Sequence, residues 1–296
     1  MIYNPSRRID YSRQLDFLEK NYGLVRRDEF CNLLVGKSAL PTGALLTFDD
    51  GLSDHTEFVF PELDRRDVAG LVYVSTCPYL SKKLLNVHRI HYLLGLYGGR
   101  ALRSRVEPAI TPEMIIPDRK EKFEAAYQTQ INDDSTLWIK KTFNYFLKDN
   151  NRQRILEQLM ADAPVAEDLL CSRFYLAPDQ IRKLQNNGMI IGTHPITHRV
   201  MSTLDHADKE HEIKSSFEYL EKITGGLTQR TYCHPTGRRN TFNNDTIEIV
   251  TQLKCGFSFS LDSRDITAAD WNDKCHALPR FDCNEFAHGQ RRKADD

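Results

Sequence analysis

The sequence predicts an α/β protein whose functional groups stand at the carboxyl ends of parallel strands. Three observations predict it. Short apolar runs alternate with amphipathic helical stretches on both sides of a long, purely helical middle. The run Leu45-Leu46-Thr47-Phe48 ends in Asp49-Asp50-Gly51, and the run Met189-Ile190-Ile191-Gly192 ends in Thr193-His194-Pro195-Ile196-Thr197-His198. Asp50 and His194 lie 144 positions apart, so only tertiary folding joins them.

Residues 9–36 read as two short helices broken at Asn21-Tyr22-Gly23. Pro41-Thr42-Gly43 is a turn, and 44–49 is the first strand. Residues 53–66 form a helix with Ser53 as N-cap, Glu57 near capping-box distance, and a kink or early break at Pro61. Residues 71–76 are a β-branched and aromatic strand ended by Cys77-Pro78. Residues 80–174 carry only helical patterning. His88, Ile90, His91, Leu93 and Leu94 line one segment. Phe123, Tyr127 and Ile131 line another, and Leu156, Leu159 and Met160 a third, with links at Pro108, Pro112 and Pro117. This stretch either shapes a substrate pocket or serves packing and dimerisation.

The alternation then resumes. A helix begins at Pro178 and ends near Asn187-Gly188. The strand 189–193 leads into the histidine pair, and the helix 208–224 carries Ile213, Phe217, Leu220 and Ile223 before Gly225-Gly226. The strand 231–233, a helix 244–254, the strand 257–261 and a last strand near Ala277-Leu278 follow. From Ala287 the chain is polar and reads as a frayed tail.

Alternation along a strand sends Asp49 and Asp50 in different directions, so one can bind a metal while the other faces a water on that metal. Histidines four apart can converge on one ion from a helical turn or a tight loop; alternatively, they decorate a helix start capped by Thr193 or Thr197.

Composition narrows the partners. Forty basic and 41 acidic residues nearly cancel, without a basic stripe, which indicates neither nucleic acid nor an anionic membrane. Seven cysteines, odd in number and without Cys-x-x-Cys spacing, point to reduced thiols in a cytoplasmic protein. The first residues show no apolar signal segment, unless an export signal has been trimmed, and no stretch approaches membrane-spanning length.

The motifs resemble those of the polysaccharide deacetylases, metal-dependent carbohydrate deacetylases that include chitin and peptidoglycan deacetylases. Thr47-Phe48-Asp49-Asp50-Gly51 is similar to the family's first motif, and His194-Pro195-Ile196-Thr197-His198 to its second. Tyr232 to Asn240, with Pro235-Thr236-Gly237, resembles the third, and Leu278-Pro279-Arg280-Phe281-Asp282 an arginine-bearing fourth. The resemblance covers roughly residues 1–80 and 175–285. It implies an irregular seven-stranded (β/α) barrel, here in two parts, 1–79 and 175–286; residues 80–174 depart from the family pattern and read as a large helical insertion, and 287–296 as a flexible tail.

The resemblance also implies site roles. Asp50, His194 and His198 would bind one divalent ion, zinc first, with cobalt, nickel or iron(II) as alternatives. Asp49 would be the general base, and the loop at Pro235 and Thr236, through a backbone N–H, would hold the oxyanion. The family's arginine beside the base is replaced by Cys233, so Arg280 either supplies that charge or forms a surface or barrel-closing salt bridge. The family's usual proton-donating histidine motif is not recognisable. His55, His88, His91, His234 and His276 are the candidates, with His234 and His88 favoured and His55 also placed among substrate contacts.

A cytoplasmic member would meet an acetylated amino sugar, a sugar nucleotide or a lipid-linked saccharide during surface-polysaccharide synthesis, and could oligomerise through the helical insertion. Three alternatives stand beside this: an amidohydrolase of a non-sugar amide on the same fold, a non-catalytic carbohydrate-binding relative, and a scaffold with chance motif matches.

Overall fold

Six short strands form one parallel sheet in strict chain order, β1 to β6. They are β1 (Leu46–Phe48), β2 (Gly70–Val74), β3 (Ile190–Thr193), β4 (Thr231–Cys233), β5 (Phe257–Phe259) and β6 (His276–Leu278). The computed structural model describes residues 5–124, 126–127, 132–273 and 275–289. Ile131 of the expected helical patterning and residues 290–296 of the expected tail lie outside them.

Parallel strands need crossover connections, and helices supply most of them. Every residue of β2 is buried, as expected where a parallel sheet is covered on both faces. Alternation divides the side chains between two cores. One holds Phe30, Leu71, Tyr73, Ile190, Cys233, Phe257, Phe259 and Leu278. The other sets Tyr232 against Ile213 and Phe217 of the helix His206–Thr224 and against Ile249 and Val250 of the helix Asn244–Gln252.

The sheet curls into a half-barrel. A seven-stranded barrel was the expectation; six strands are present among the described residues. Leu24, ahead of β1, makes only an isolated parallel bridge to Ala44. The expected helix at 53–66 is split into a π-turn, His55–Val59, and a helix, Phe60–Arg66, with Pro61 in its first turn where no N–H is needed. Ser53 is not its cap: the hydroxyl bonds the Arg173 carbonyl at 2.9 Å instead.

The chain divides into two compact units. One comprises Cys77–Cys171 and the other Ile2–Thr76 with Ser172–Asp296. The first falls within the connection from β2 to β3 and is helical. Its buried Arg89 meets Glu167 through Nε (2.6 Å) and Nη2 (2.9 Å), which pins the helix Asn86–Tyr97 to the helix Glu167–Phe174. All seven cysteines are free thiols. Among the described residues, no helix is long and apolar enough to cross a membrane.

Gly192 in β3 shows how tightly the sheet is packed beside the histidine loop. A Cβ there would meet a Tyr73 ring carbon at 2.4 Å and the Thr231 methyl at 2.8 Å. The Tyr73 ring cannot swing away cheaply, because its hydroxyl bonds Thr231 Oγ1 at 2.8 Å. Gly192→Ala should destabilise the protein by about 1–3 kcal/mol in denaturant unfolding; unchanged stability would contradict this packing.

Candidate functional site

In a parallel sheet all carboxyl ends share one edge, so the segments after β1, β3, β4 and β6 converge. After β1 the backbone turns through two consecutive left-handed residues, Asp50 (φ 70°) and Gly51 (φ 66°). Aspartate tolerates this region better than most residues, and at Gly51 a Cβ would lie 2.9 Å from a Val74 methyl. The turn gives the two carboxylates separate surroundings. Asp49 meets Arg280, while Asp50 Oδ1 lies 3.9 Å from Nε2 of both His194 and His198.

The histidines lie on an irregular loop after β3, not on a helix. His194 is 1% exposed, and its Nδ1 is 2.6 Å from the Cys233 carbonyl. A carbonyl only accepts, so Nδ1 carries the proton and Nε2 presents a lone pair. That Nε2 is buried and has no hydrogen-bond partner among the described residues. Burial lowers the His194 pKa to about 4 despite the pull of Asp49, which keeps the ring neutral at physiological pH. His198 adopts φ 57°, and its ring centre is 4.9 Å from that of His194.

One ligand atom each from Asp50, His194 and His198 lies within 4.8 Å of the others. Ligands about 2.0–2.1 Å from a tetrahedral ion are about 3.4 Å apart, so a small contraction from 3.9 Å would fit one. Two neutral imidazoles with one carboxylate, and a buried lone pair lacking a partner, are what such an ion requires. Asp49, His194 and Cys233 also cluster. That group suits an ion poorly, because burial holds the Cys233 thiol well above its usual pKa and Asp49 is committed elsewhere.

Asp49 receives two hydrogen bonds from Arg280, Nη1 to Oδ1 at 2.9 Å and Nη2 to Oδ2 at 2.8 Å. Nη1 also donates to Thr47 Oγ1 at 2.9 Å. Arg280 thus stands beside the aspartate that the sequence proposes as base, while Cys233 packs in the core at the third-motif position. Burial raises the Asp49 pKa, but Arg280 overrides it and brings the carboxyl from 3.8 to about 2.

The remaining candidates fall differently. Thr236 is left-handed (φ 57°), and its hydroxyl donates to the Pro235 carbonyl at 2.6 Å. His55 is buried, tilted against Phe48 at 5.7 Å, and its Nδ1 has no hydrogen-bond partner among the described residues. Burial lowers its pKa to about 4 against the opposing pull of Asp50 and Asp49. His234 is outside the triad: it stacks on Phe242 at 4.0 Å, shares the face of Tyr232, and its Nε2 is 3.2 Å from Ser258 Oγ. Burial lowers its pKa to about 3, so the ring is neutral at pH 7, and its Nδ1 has no hydrogen-bond partner among the described residues. His276 is a half-buried residue of β6. His88 and His91 belong to the helical unit, with ring centres 6.4 Å apart.

Sequence reading missed the supports of the histidine loop. Glu212 accepts the Thr197 N–H at 2.8 Å and also the Thr197 hydroxyl. Ser216 donates to the His194 carbonyl at 2.7 Å and accepts from Thr193 Oγ1 at 2.5 Å. The available signal was two polar residues, four apart, beside Ile213, Phe217 and Leu220 on an apolar helix face.

Residues 139–257 match the family profile described as Polysaccharide deacetylase. Over that span the chain is similar to the polysaccharide deacetylase family. The matched span contains both triad histidines and the Pro235–Gly237 loop, but neither Asp49 nor Arg280. Deacetylase PplD of Streptococcus pyogenes, in complex with acetate, has a similar fold, with a TM-score of 0.52 at 14% identity over 94% of this chain and 86% of that one. IcaB from Ammonifex degensii gives 0.51 at 15% identity, over 93% and 83%. At such identities the likeness is one of fold. No curated protein matches the chain.

Replacing Arg280 tests the electrostatics of the pair. In Arg280→Met the opposing charge is gone and burial dominates, so Asp49 should titrate above 3.8 rather than near 2 in carboxyl NMR of metal-free protein. In the wild type, Asp49 contributes stability at pH above about 4, lost as pH falls towards 2, and the variant lacks that contribution. A titration still centred near 2 would contradict the assignment.

Proposed function

We propose that this chain is a metal-dependent deacetylase that removes an N-acetyl group from an amino sugar, nucleotide- or lipid-linked, during cytoplasmic steps of surface-polysaccharide synthesis. The observation that carries the reading is the convergence of Asp50, His194 and His198 beside an Asp49 held by Arg280. We read the chain as one barrel in two segments, with the helical unit inserted between β2 and β3.

Asp50, His194 and His198 would hold the ion, zinc in the first instance. When bound, such an ion lowers the pKa of water towards about 7 and polarises a carbonyl. Asp49, kept anionic by Arg280, accepts the proton of the attacking water. Arg280 uses both nitrogens of its fork, which fixes the carboxylate plane as well as its charge. The backbone N–H of Thr236, beside Pro235, donates to the carbonyl oxygen as negative charge develops there. His55, buried beneath Phe48 with an unsatisfied nitrogen, is assigned to the substrate. His234 is not assigned the leaving-group proton, since burial keeps its ring neutral.

The test is acetate release from a panel of N-acetylated amino sugars and their nucleotides, with zinc supplied. Wild type should release acetate, and Asp49→Asn should lose about 10²- to 10⁴-fold in turnover while retaining its metal. Near wild-type turnover in Asp49→Asn would sink the base assignment. Hydrolysis of simple amides but of no sugar would favour the non-sugar amidohydrolase.

A further inference from the structure

The helix His206–Thr224 presents a buried face on which the polar residues Lys209, Glu212 and Ser216 stand among Ile213, Phe217 and Leu220. A carboxylate that is 4% exposed is costly unless every oxygen is used. Both Glu212 oxygens go to Thr197, one to its N–H and one to its hydroxyl. The Glu212 backbone carbonyl accepts the Ile196 N–H at 3.2 Å. One turn later, Ser216 holds the His194 carbonyl and the Thr193 hydroxyl. Residues 193, 194, 196 and 197 are therefore fixed to one helical turn. The next residue, His198, is left-handed without being glycine, a conformation that persists only when its surroundings impose it.

We propose that Glu212 is a positioning residue for the metal site, presetting the loop so that His194 and His198 converge on Asp50 before an ion arrives. Ser216 completes the clamp at the other end of the loop. The inference rests on the metal reading above and concerns how the site is built. An apolar residue would pack the helix with less desolvation, so the buried carboxylate is explained by what it holds.

The test is zinc affinity by chelator competition, with thermal melting of the zinc-free proteins alongside. Glu212→Ala should bind zinc about 10- to 100-fold more weakly than wild type. Thr197→Val, which removes only the hydroxyl, should weaken binding less, and Glu212→Gln, which keeps an acceptor for the N–H, should recover part of the loss. If Glu212→Ala does not fold, the other two variants decide. Zinc affinities within about twofold of wild type in Thr197→Val and Glu212→Gln would overturn the positioning role while leaving the metal reading intact. A wild type that binds no zinc would remove both.

Discussion

Arg280 and Asp49 join the two edges of the sheet. The strand order runs from β1 to β6 without a crossing, so its first and last strands meet only if the sheet curls. The residue following Pro279 after β6 bonds both Thr47 in β1 and Asp49 beyond it. That single contact draws the half-barrel together, keeps a carboxylate anionic, and sets Asp49 beside the loop that carries the histidines. Structure and chemistry are coupled at this pair. A salt bridge that closes the barrel and a charge beside the base were alternatives in the sequence; here one guanidinium does both.

The adjacent carboxylates acquire different environments because of one backbone turn. Left-handed geometry at Asp50 and Gly51 sends Asp50 to the imidazoles, while Asp49 stays with the strand and faces Arg280. The imidazoles are prepared in the same manner. Burial keeps His194 neutral, the Cys233 carbonyl fixes its tautomer, and the helix His206–Thr224 anchors its loop. Each preparation comes from a different element, so the site depends on the whole sheet edge.

Much of this was legible in the sequence because apolar runs ending in chemistry-bearing residues survive without any partner in view. β2 and β3, the turn at Asp49-Asp50-Gly51 and the histidine pair were readable for that reason. What was not readable depends on partners distant in sequence. Nothing local distinguishes His234, stacked on Phe242 beside Ser258, from His55, buried near both carboxylates. Ser53 has the composition of an N-cap, but a partner 120 residues away competes for its hydroxyl. Glu212 reads as one more charge on an amphipathic helix until its burial is known. The seventh strand was expected from family resemblance alone, and around Leu24 the backbone makes only isolated bridges, Leu24 to Ala44 and Arg26 to Val68.

Metal content of the purified protein after incubation with zinc, compared with His194→Ala/His198→Ala, tests the metal site most directly. About one ion per chain is expected in the wild type and none in the double variant. No specific ion in the wild type, or equal binding in the variant, would contradict it.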